Sequence, residues 1–323
     1  MTERIDILVS EDVWGAAFEQ LTTRYQVVRE PGLWQDPERL AGQVRRSRAL
    51  VVRNRTRVDR ALLTAGERLT VVARAGVGLD NIDLPAADEA GVVVTAPLGA
   101  NAVSVAEHTL GLALTLARGT VRLDADCRAG GWRRAPGREL RGGTWGLLGC
   151  GATARACGEL AAALGMRVLA HDPYLDPAHP ALATARIELA PLERVVAEAD
   201  VLSCHLPATA DTTGLVNADL LARMRPSALF VNAGRGEVVD EDALADALEA
   251  GTLGGAALDV RASEPPRPGR LEKLDNVVLT PHIAGITAQS QALIARTLAD
   301  DLDAVLSGGR ASSSVGTAKE ARS

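Results

Sequence analysis

Short, mostly apolar runs recur along this chain, each followed by a longer stretch with helical spacing. That alternation constrains the fold more than any other feature. In the first third the runs fall at 5–9, 49–53, 69–73 and 92–94. A second series falls at 145–149, 167–171, 200–204, 229–232, 256–259 and 277–280. A strand with one face in water alternates apolar and polar residues. These runs do not alternate, so both of their faces are covered, as in a parallel sheet with helices on each side. The βαβα order, met twice, implies an α/β fold of two doubly wound parallel-sheet domains. A chain of 323 residues is long enough to give each its own core.

The segment 102–118 lies between the two series, lacks proline and reads as a helix bridging the domains. The segment 287–306 is also helical by periodicity and follows the last strand of the second series. The simplest topology returns it to the first domain. The expected domains are therefore 1–99 plus 287–310, and 100–286, with the Ser-, Gly- and Ala-rich tail 311–323 disordered.

Composition removes several function classes. The net charge of −6 offers no basic surface for nucleic acid or an anionic membrane. No apolar run approaches the roughly 20 residues of a membrane helix. The start, MTERIDILVS, reads as an opening strand and not as a signal peptide, so the expected compartment is the cytoplasm. Cys127, Cys150, Cys157 and Cys204 have no metal-site spacing and read as reduced, buried thiols. His108, His171, His179 and His205 lack ligand-like spacing, so no metal is expected.

The strongest local motif runs from Thr144 to Ala154, a strand passing into G-x-G-x-x-A and then a helix. Gly149 permits the tight turn, Gly151 lets the backbone approach a pyrophosphate, and the small Ala154 allows close helix–strand packing. The helix N-terminus offers unpaired N–H groups to phosphates. The next strand ends at Asp172, about 20 residues on, where an acid receives ribose hydroxyls and repels the extra phosphate of NADP. Asp172 is also a natural turn residue before Pro173, and the two roles are compatible.

Ligands of a doubly wound sheet bind beyond the carboxyl ends of its strands. Arg235, Glu264 and His282 follow three successive strands of the second series. Each taken alone reads better as a surface or loop residue. Together, downstream of a dinucleotide fingerprint, they form a set suited to reducing a 2-keto acid. Arginine fixes the carboxylate and polarises the carbonyl. Histidine supplies the proton as hydride arrives, and a carboxylate orients the imidazole and favours its charged form.

These stretches, with 52–58, 74–83, 101–107, His205-Leu206-Pro207, Thr209, Thr212, 232–235, 257–259 and 281–285, resemble the D-isomer-specific 2-hydroxyacid dehydrogenases. The motif style is nearest to D-3-phosphoglycerate dehydrogenase-like members, and the match reaches to about residue 307. The resemblance implies a flavodoxin-like substrate domain and a Rossmann-like NAD domain with a cleft between them. It implies NAD as cofactor and Arg235, Glu264 and His282 as catalytic residues, His282 being the proton donor. Gly149, Gly151, Ala152 and Thr153 would meet the pyrophosphate, and Asp172 the ribose. Leu206, Pro207 and Thr212 would lie on the adenosine side. Ala233, Asp259, His282 and Gly285 would lie toward the nicotinamide. Val77 and Gly78 would receive the substrate carboxylate, with Arg235. The substrate would be a small D-2-hydroxy or 2-keto acid, such as 3-phosphoglycerate, hydroxypyruvate or glyoxylate. Arg53 is placed to meet a phosphate, with a second arginine coming from the Trp132-Arg133-Arg134 element of a partner subunit in a homodimer formed through the NAD domain. For Arg53 and Arg134 ordinary surface charge is the competing reading.

Two departures stand out. Ala152-Thr153 occupies the place where Arg-Ile is common, which removes one cation from the pyrophosphate. The loop after Asp259 carries Arg261 where an aromatic is usual. A non-catalytic NAD(H)-sensing corepressor on the same fold is the main rival, and the retained Arg235, Glu264 and His282 speak against it. Formate dehydrogenase relatives pair the histidine with glutamine, which Glu264 disfavours.

Overall fold

The computed structural model describes residues 4–318. In chain order the strands are β1 (Ile5–Val9), β2 (Val27–Arg29), β3 (Ser47–Val52), β4 (Val71–Arg74), β5 (Val93–Thr95), β6 (Thr144–Leu148), β7 (Arg167–His171), β8 (Ile187–Leu189), β9 (Val201–Cys204), β10 (Leu229–Asn232), β11 (Gly255–Leu258), β12 (Val277–Leu279) and β13 (Ser314–Val315). Two compact units result: one is Ala102–Ile286, and the other takes the chain on either side of it.

The discontinuous unit has a six-stranded sheet of order β13-β5-β4-β3-β1-β2. Strands β1 to β5 are parallel in the flavodoxin-like order 2-1-3-4-5. Successive strand residues feed opposite faces. Leu8, Leu50, Val72 and Val94 enter one core, and Ile7, Val9, Ala49, Val51, Val71 and Ala73 enter the other. The helix Ala288–Leu306 covers the second face with Ile294, Leu298, Leu302 and Val305. It begins in a capping box, where the Thr287 hydroxyl accepts from Ser290 N–H and the Ser290 hydroxyl accepts from Thr287 N–H.

The tail differs from its expected disorder. Ser314–Val315 pairs antiparallel with β5, adding an edge to an otherwise parallel sheet. The buried Asp301 carboxylate accepts from the backbone N–H groups of Ser312 (2.6 Å) and Ser313 (3.2 Å) and from both hydroxyls. Asp88 accepts from the N–H groups of Thr317 and Ala318. Carboxylates elsewhere in the chain thus satisfy a segment that has few apolar side chains to bury. Positions 319–323 of the tail lie outside the described residues.

The continuous unit has a seven-stranded sheet of order β12-β11-β10-β9-β6-β7-β8. All its pairings are parallel, and the chain reverses direction across the sheet between β6 and β9. That is the doubly wound Rossmann arrangement, with its switch point at β6. The helix Ala102–Arg118 packs Ala106, Leu112, Ala113 and Ala117 on one face with Ala154, Cys157 and Ala161 of the helix Ala152–Ala163. Small residues at this contact let the helices and sheet approach closely. Cys150, Cys157 and Cys204 are buried as expected, whereas Cys127 is exposed, because its helix Thr120–Arg128 buries none of its residues. Among the described residues, no helix is long and apolar enough to cross a membrane.

Candidate active site

In the continuous unit the strand ends are in register. Leu148 pairs with His171 and with Cys204, Cys204 with Asn232, Asn232 with Leu258, and Leu258 with Leu279. Every candidate motif of this unit follows one of those residues. All of them therefore emerge along a single edge of the sheet.

The glycine turn follows β6, next to the central strand β9. Gly149 has φ of +86°, a left-handed conformation that disfavours any side chain, and its N–H donates to His171 O at 2.9 Å. Gly151 precedes the twelve-residue helix Ala152–Ala163 without any side-chain cap, and nothing lies within 4 Å of where a Cβ on Gly151 would be. Ala152 is exposed beside it, and Thr153 is half-buried. An uncapped helix N-terminus facing open space fits a dinucleotide pyrophosphate. Asp172 accepts from Cys150 N–H (2.9 Å) through one oxygen and from Tyr174 N–H (3.0 Å) through the other. It thus braces the turn itself. Burial pushes the Cys150 thiol up to about 11, as suits a packing residue.

The neighbouring loops close round this turn. Leu206 packs on the core, and its Cδ2 lies 3.1 Å from where a Cβ on Gly149 would be. Pro207 is exposed, and its carbonyl accepts from the Thr212 hydroxyl at 2.6 Å. Thr212 therefore spends its hydroxyl on its own loop, where it also accepts from Thr209 N–H. Ala233 is half-buried and donates its N–H to Cys204 O at 3.2 Å.

The three catalytic candidates hang from the next strand ends. Asn232 is buried at the end of β10 and ties the following loop, accepting from Gly234 N–H and donating to Arg235 O. His282 follows β12, with φ of +56°. Its N–H donates to Asp259 O at 2.7 Å. Its Nδ1 meets Glu264 Oε2 at 2.8 Å, and both side chains are partly open to solvent. Asp259 is buried and grips the same loop, accepting from the Thr280 hydroxyl (2.6 Å), Ile283 N–H (2.9 Å) and Ala284 N–H (2.8 Å). Burial alone would raise its carboxyl. The bonds from His108, Thr280, Ile283 and Ala284 outweigh burial and hold it below the ordinary range. Gly285 is half-buried at the end of this loop.

Arg53, Val77 and Gly78 belong to the discontinuous unit. There they follow β3 and β4, again at strand ends. Arg53 reaches Gln291 through Nη2 at 3.5 Å. Val77 and Gly78 are half-buried.

Two residues emerge that the sequence did not single out. His108, on the helix Ala102–Arg118, bonds through Nε2 to the Thr280 hydroxyl (3.1 Å) and approaches Asp259 (3.5 Å), so it stands behind the His282 loop. Glu11 is buried, and its carboxylate accepts from the consecutive N–H groups of Arg53, Asn54, Arg55 and Thr56. Those bonds outweigh its burial, hold its carboxyl below the ordinary range and fix the loop that carries Arg53. Neither residue has a local signal, because the partners lie far away in the chain. Among the described residues, no group of three or more His, Cys, Asp or Glu gathers to hold a metal ion.

Residues 110–284 match the family model "D-isomer specific 2-hydroxyacid dehydrogenase, NAD binding domain". The chain is 41% identical over 301 residues to (S)-sulfolactate dehydrogenase of Chromohalobacter salexigens, covering 92% of this chain and 97% of that one. It is 40% identical over 268 residues to D-3-phosphoglycerate dehydrogenase of Archaeoglobus fulgidus, covering 82% of this chain and 50% of that one. It thus spans about half the length of the D-3-phosphoglycerate dehydrogenases it matches. The solved structure of the TT0316 protein from Thermus thermophilus superposes with a TM-score of 0.88 at 34% identity, covering 96% of this chain and all of that one. Ala102–Ile286 is accordingly the NAD-binding unit. With the matched domain filling more than half of its length, the chain belongs to the D-isomer specific 2-hydroxyacid dehydrogenase family.

Proposed function

We propose that the chain interconverts a D-2-hydroxy acid and its 2-keto acid with NAD, and that the acid carries a second strongly anionic group. The observation that carries the reading is the 2.8 Å bond between His282 Nδ1 and Glu264, at the sheet edge that also bears the Gly149–Gly151 turn. NAD, when bound, takes up or supplies the hydride. With Nδ1 engaged by Glu264, the other ring nitrogen of His282 is the one that exchanges a proton with the substrate oxygen. In oxidation it accepts the hydroxyl proton as hydride leaves the same carbon, and Glu264 stabilises the imidazolium. In reduction both transfers reverse. Arg235 holds the carboxylate and draws electron density from the carbonyl. The family resemblance assigns the main-chain N–H groups of Val77 and Gly78 to the substrate carboxylate, and Asp172 to the choice of NAD over NADP. A pure sensor has no use for the histidine–carboxylate pair.

Two relatives support the anionic group. The names sulfolactate and 3-phosphoglycerate both describe three-carbon 2-hydroxy acids with a charged group on the third carbon. The (S) label of sulfolactate reflects the high priority of its sulfur-bearing carbon, and its geometry is that of a D-2-hydroxy acid. Arg53 is the proposed contact for the sulfonate or phosphate. We place the protein in the cytoplasm as a homodimer through the NAD-binding unit, on whose surface Trp132 is 83% and Val121 56% exposed, with Arg134 of the partner subunit completing the anion site.

NADH consumption should be followed with sulfopyruvate, phosphohydroxypyruvate, hydroxypyruvate, glyoxylate and pyruvate. One of the two anionic substrates should have the highest kcat/KM. His282→Ala and Arg235→Ala should each lower kcat/KM by about 10²-fold or more. Arg53→Ala should raise KM for the anionic substrates and leave hydroxypyruvate unaffected. Near-wild-type turnover by His282→Ala, or a best substrate lacking the third-carbon anion, would refute the respective part. Sedimentation at the monomer mass would remove the dimer.

A further inference from the structure

The loop joining Asp259 to Glu264 has an unusual anchor. Val260 is buried at its start, whereas Ala262, Ser263 and Glu264 are exposed. Between them, the Arg261 side chain is only 9% exposed and is held by two carboxylates. Its Nε and Nη2 donate to the two oxygens of Glu241 at 3.0 and 2.8 Å, and its Nη1 donates to Glu272 at 2.6 Å. Glu241 sits at the start of the helix Glu241–Glu249 and also accepts from Ala262 N–H at 2.9 Å. Glu272 also accepts from Gly269 N–H at 2.7 Å. One guanidinium therefore ties the loop to a helix start and to the segment preceding β12.

The backbone of the same residue faces the catalytic candidates. Arg261 N–H donates to Glu264 Oε1 at 3.1 Å, and the other oxygen, Oε2, meets His282 Nδ1 at 2.8 Å. On its far side, a Cβ on Gly236 would lie 1.9 Å from the Arg261 carbonyl carbon, so Arg261 packs directly on the residue after Arg235. An exposed glutamate has several rotamers. Pinning one oxygen to a fixed amide aims the other, and the amide is fixed only if the loop is.

We propose that Arg261 is a positioning residue: clamped between Glu241 and Glu272, it holds the amide that aims Glu264 at His282. This rests on the dehydrogenase reading above, but its signature is also visible without turnover. A free neutral imidazole favours the proton on Nε2, whereas an acceptor at Nδ1 holds it there.

The test uses the full chain, with NADH and sulfopyruvate as probes, and Arg261→Met, Arg261→Lys and Glu272→Gln as variants. Arg261→Met should lower kcat by about tenfold while leaving KM for both probes unchanged. Arg261→Lys should recover part of the loss. Glu272→Gln removes only one of the two carboxylates and should lower kcat by a smaller factor, which keeps the test open if Arg261→Met fails to fold. In a Glu264→Gln background, Arg261→Met should cost little more, because its effect passes through Glu264. NMR of a carbon-labelled His282 ring should show the Nδ1–H tautomer in the parent and a shift toward Nε2–H in Arg261→Met and Glu272→Gln. Equal losses in both backgrounds, or an unchanged tautomer in the variants, would overturn the inference. If no keto acid is turned over, the tautomer result still decides it, and only the reaction is in doubt.

Discussion

His282 holds a backbone conformation that costs a non-glycine residue roughly 1–2 kcal/mol, with φ of +56°. The compensation is local. Asp259 accepts the His282 N–H with its carbonyl and the next two N–H groups with its carboxylate. The Asp259 carboxyl lies below its ordinary value of 3.8 in the folded chain. A depressed folded value means the group contributes stability above the unfolded value and loses it as pH falls through the folded one. Asp259→Asn should therefore destabilise the protein by about 1–3 kcal/mol at neutral pH. It should also flatten the fall of Tm with pH below about 4. Thermal melts from neutral to acid pH check this, and parallel parent and variant curves would deny Asp259 the role. The sequence reading placed His282 with Arg235 and Glu264 because all three follow strand ends, a regularity of doubly wound sheets, and it brought in Asp259 through the family resemblance. It passed over His108, whose partner Thr280 is 172 positions away. It noticed Arg261 only as a departure, since the two carboxylates that hold it come from separate segments, 20 positions before it and 11 after it.

At the scale of elements, legibility followed apolar content, so that even the half-buried edge strand β12 (VVL) was read. Strands covered on both faces, such as β5, β10 and β11, are almost wholly apolar and declare themselves. The short β2, β8 and β13 lie at sheet edges, include half-buried residues and carry no such run. Strand β13 is the instructive case, because polar contacts hold it in place. Asp301→Ala removes the acceptor of two backbone N–H groups and two hydroxyls. Hydrogen exchange should then speed up about tenfold or more at 312–318, as expected when roughly 1.4 kcal/mol of local stability is lost. The helix Ala288–Leu306 should keep its protection, because it is held by its apolar face. Unchanged exchange at 312–318 would mean that the pairing with β5 suffices alone.

The two units have separate cores. Two buried clusters contain residues of Ala102–Ile286 only, and the other two contain residues of the flanking segments only. This division was readable because the second strand series is complete within one stretch of chain, which leaves 287–306 to return to the first. It has an energetic consequence. A ligand stabilises the structure that binds it, by about 2.7 kcal/mol at a hundredfold excess over Kd. The glycine turn, Asp172 and the His282 loop all belong to Ala102–Ile286. NADH at that excess should slow the slowest amides of β6, β9 and β10 by about a hundredfold. Those of β1, β3 and β4, whose side chains enter only the other two cores, should exchange at their former rate. Hydrogen exchange read strand by strand, with and without NADH, measures both sheets in one experiment. Equal slowing in the two sheets would mean that they open as one cooperative body despite their separate cores. Slowing confined to the flanking unit would place the coenzyme on the wrong sheet and remove the basis for the proposed chemistry.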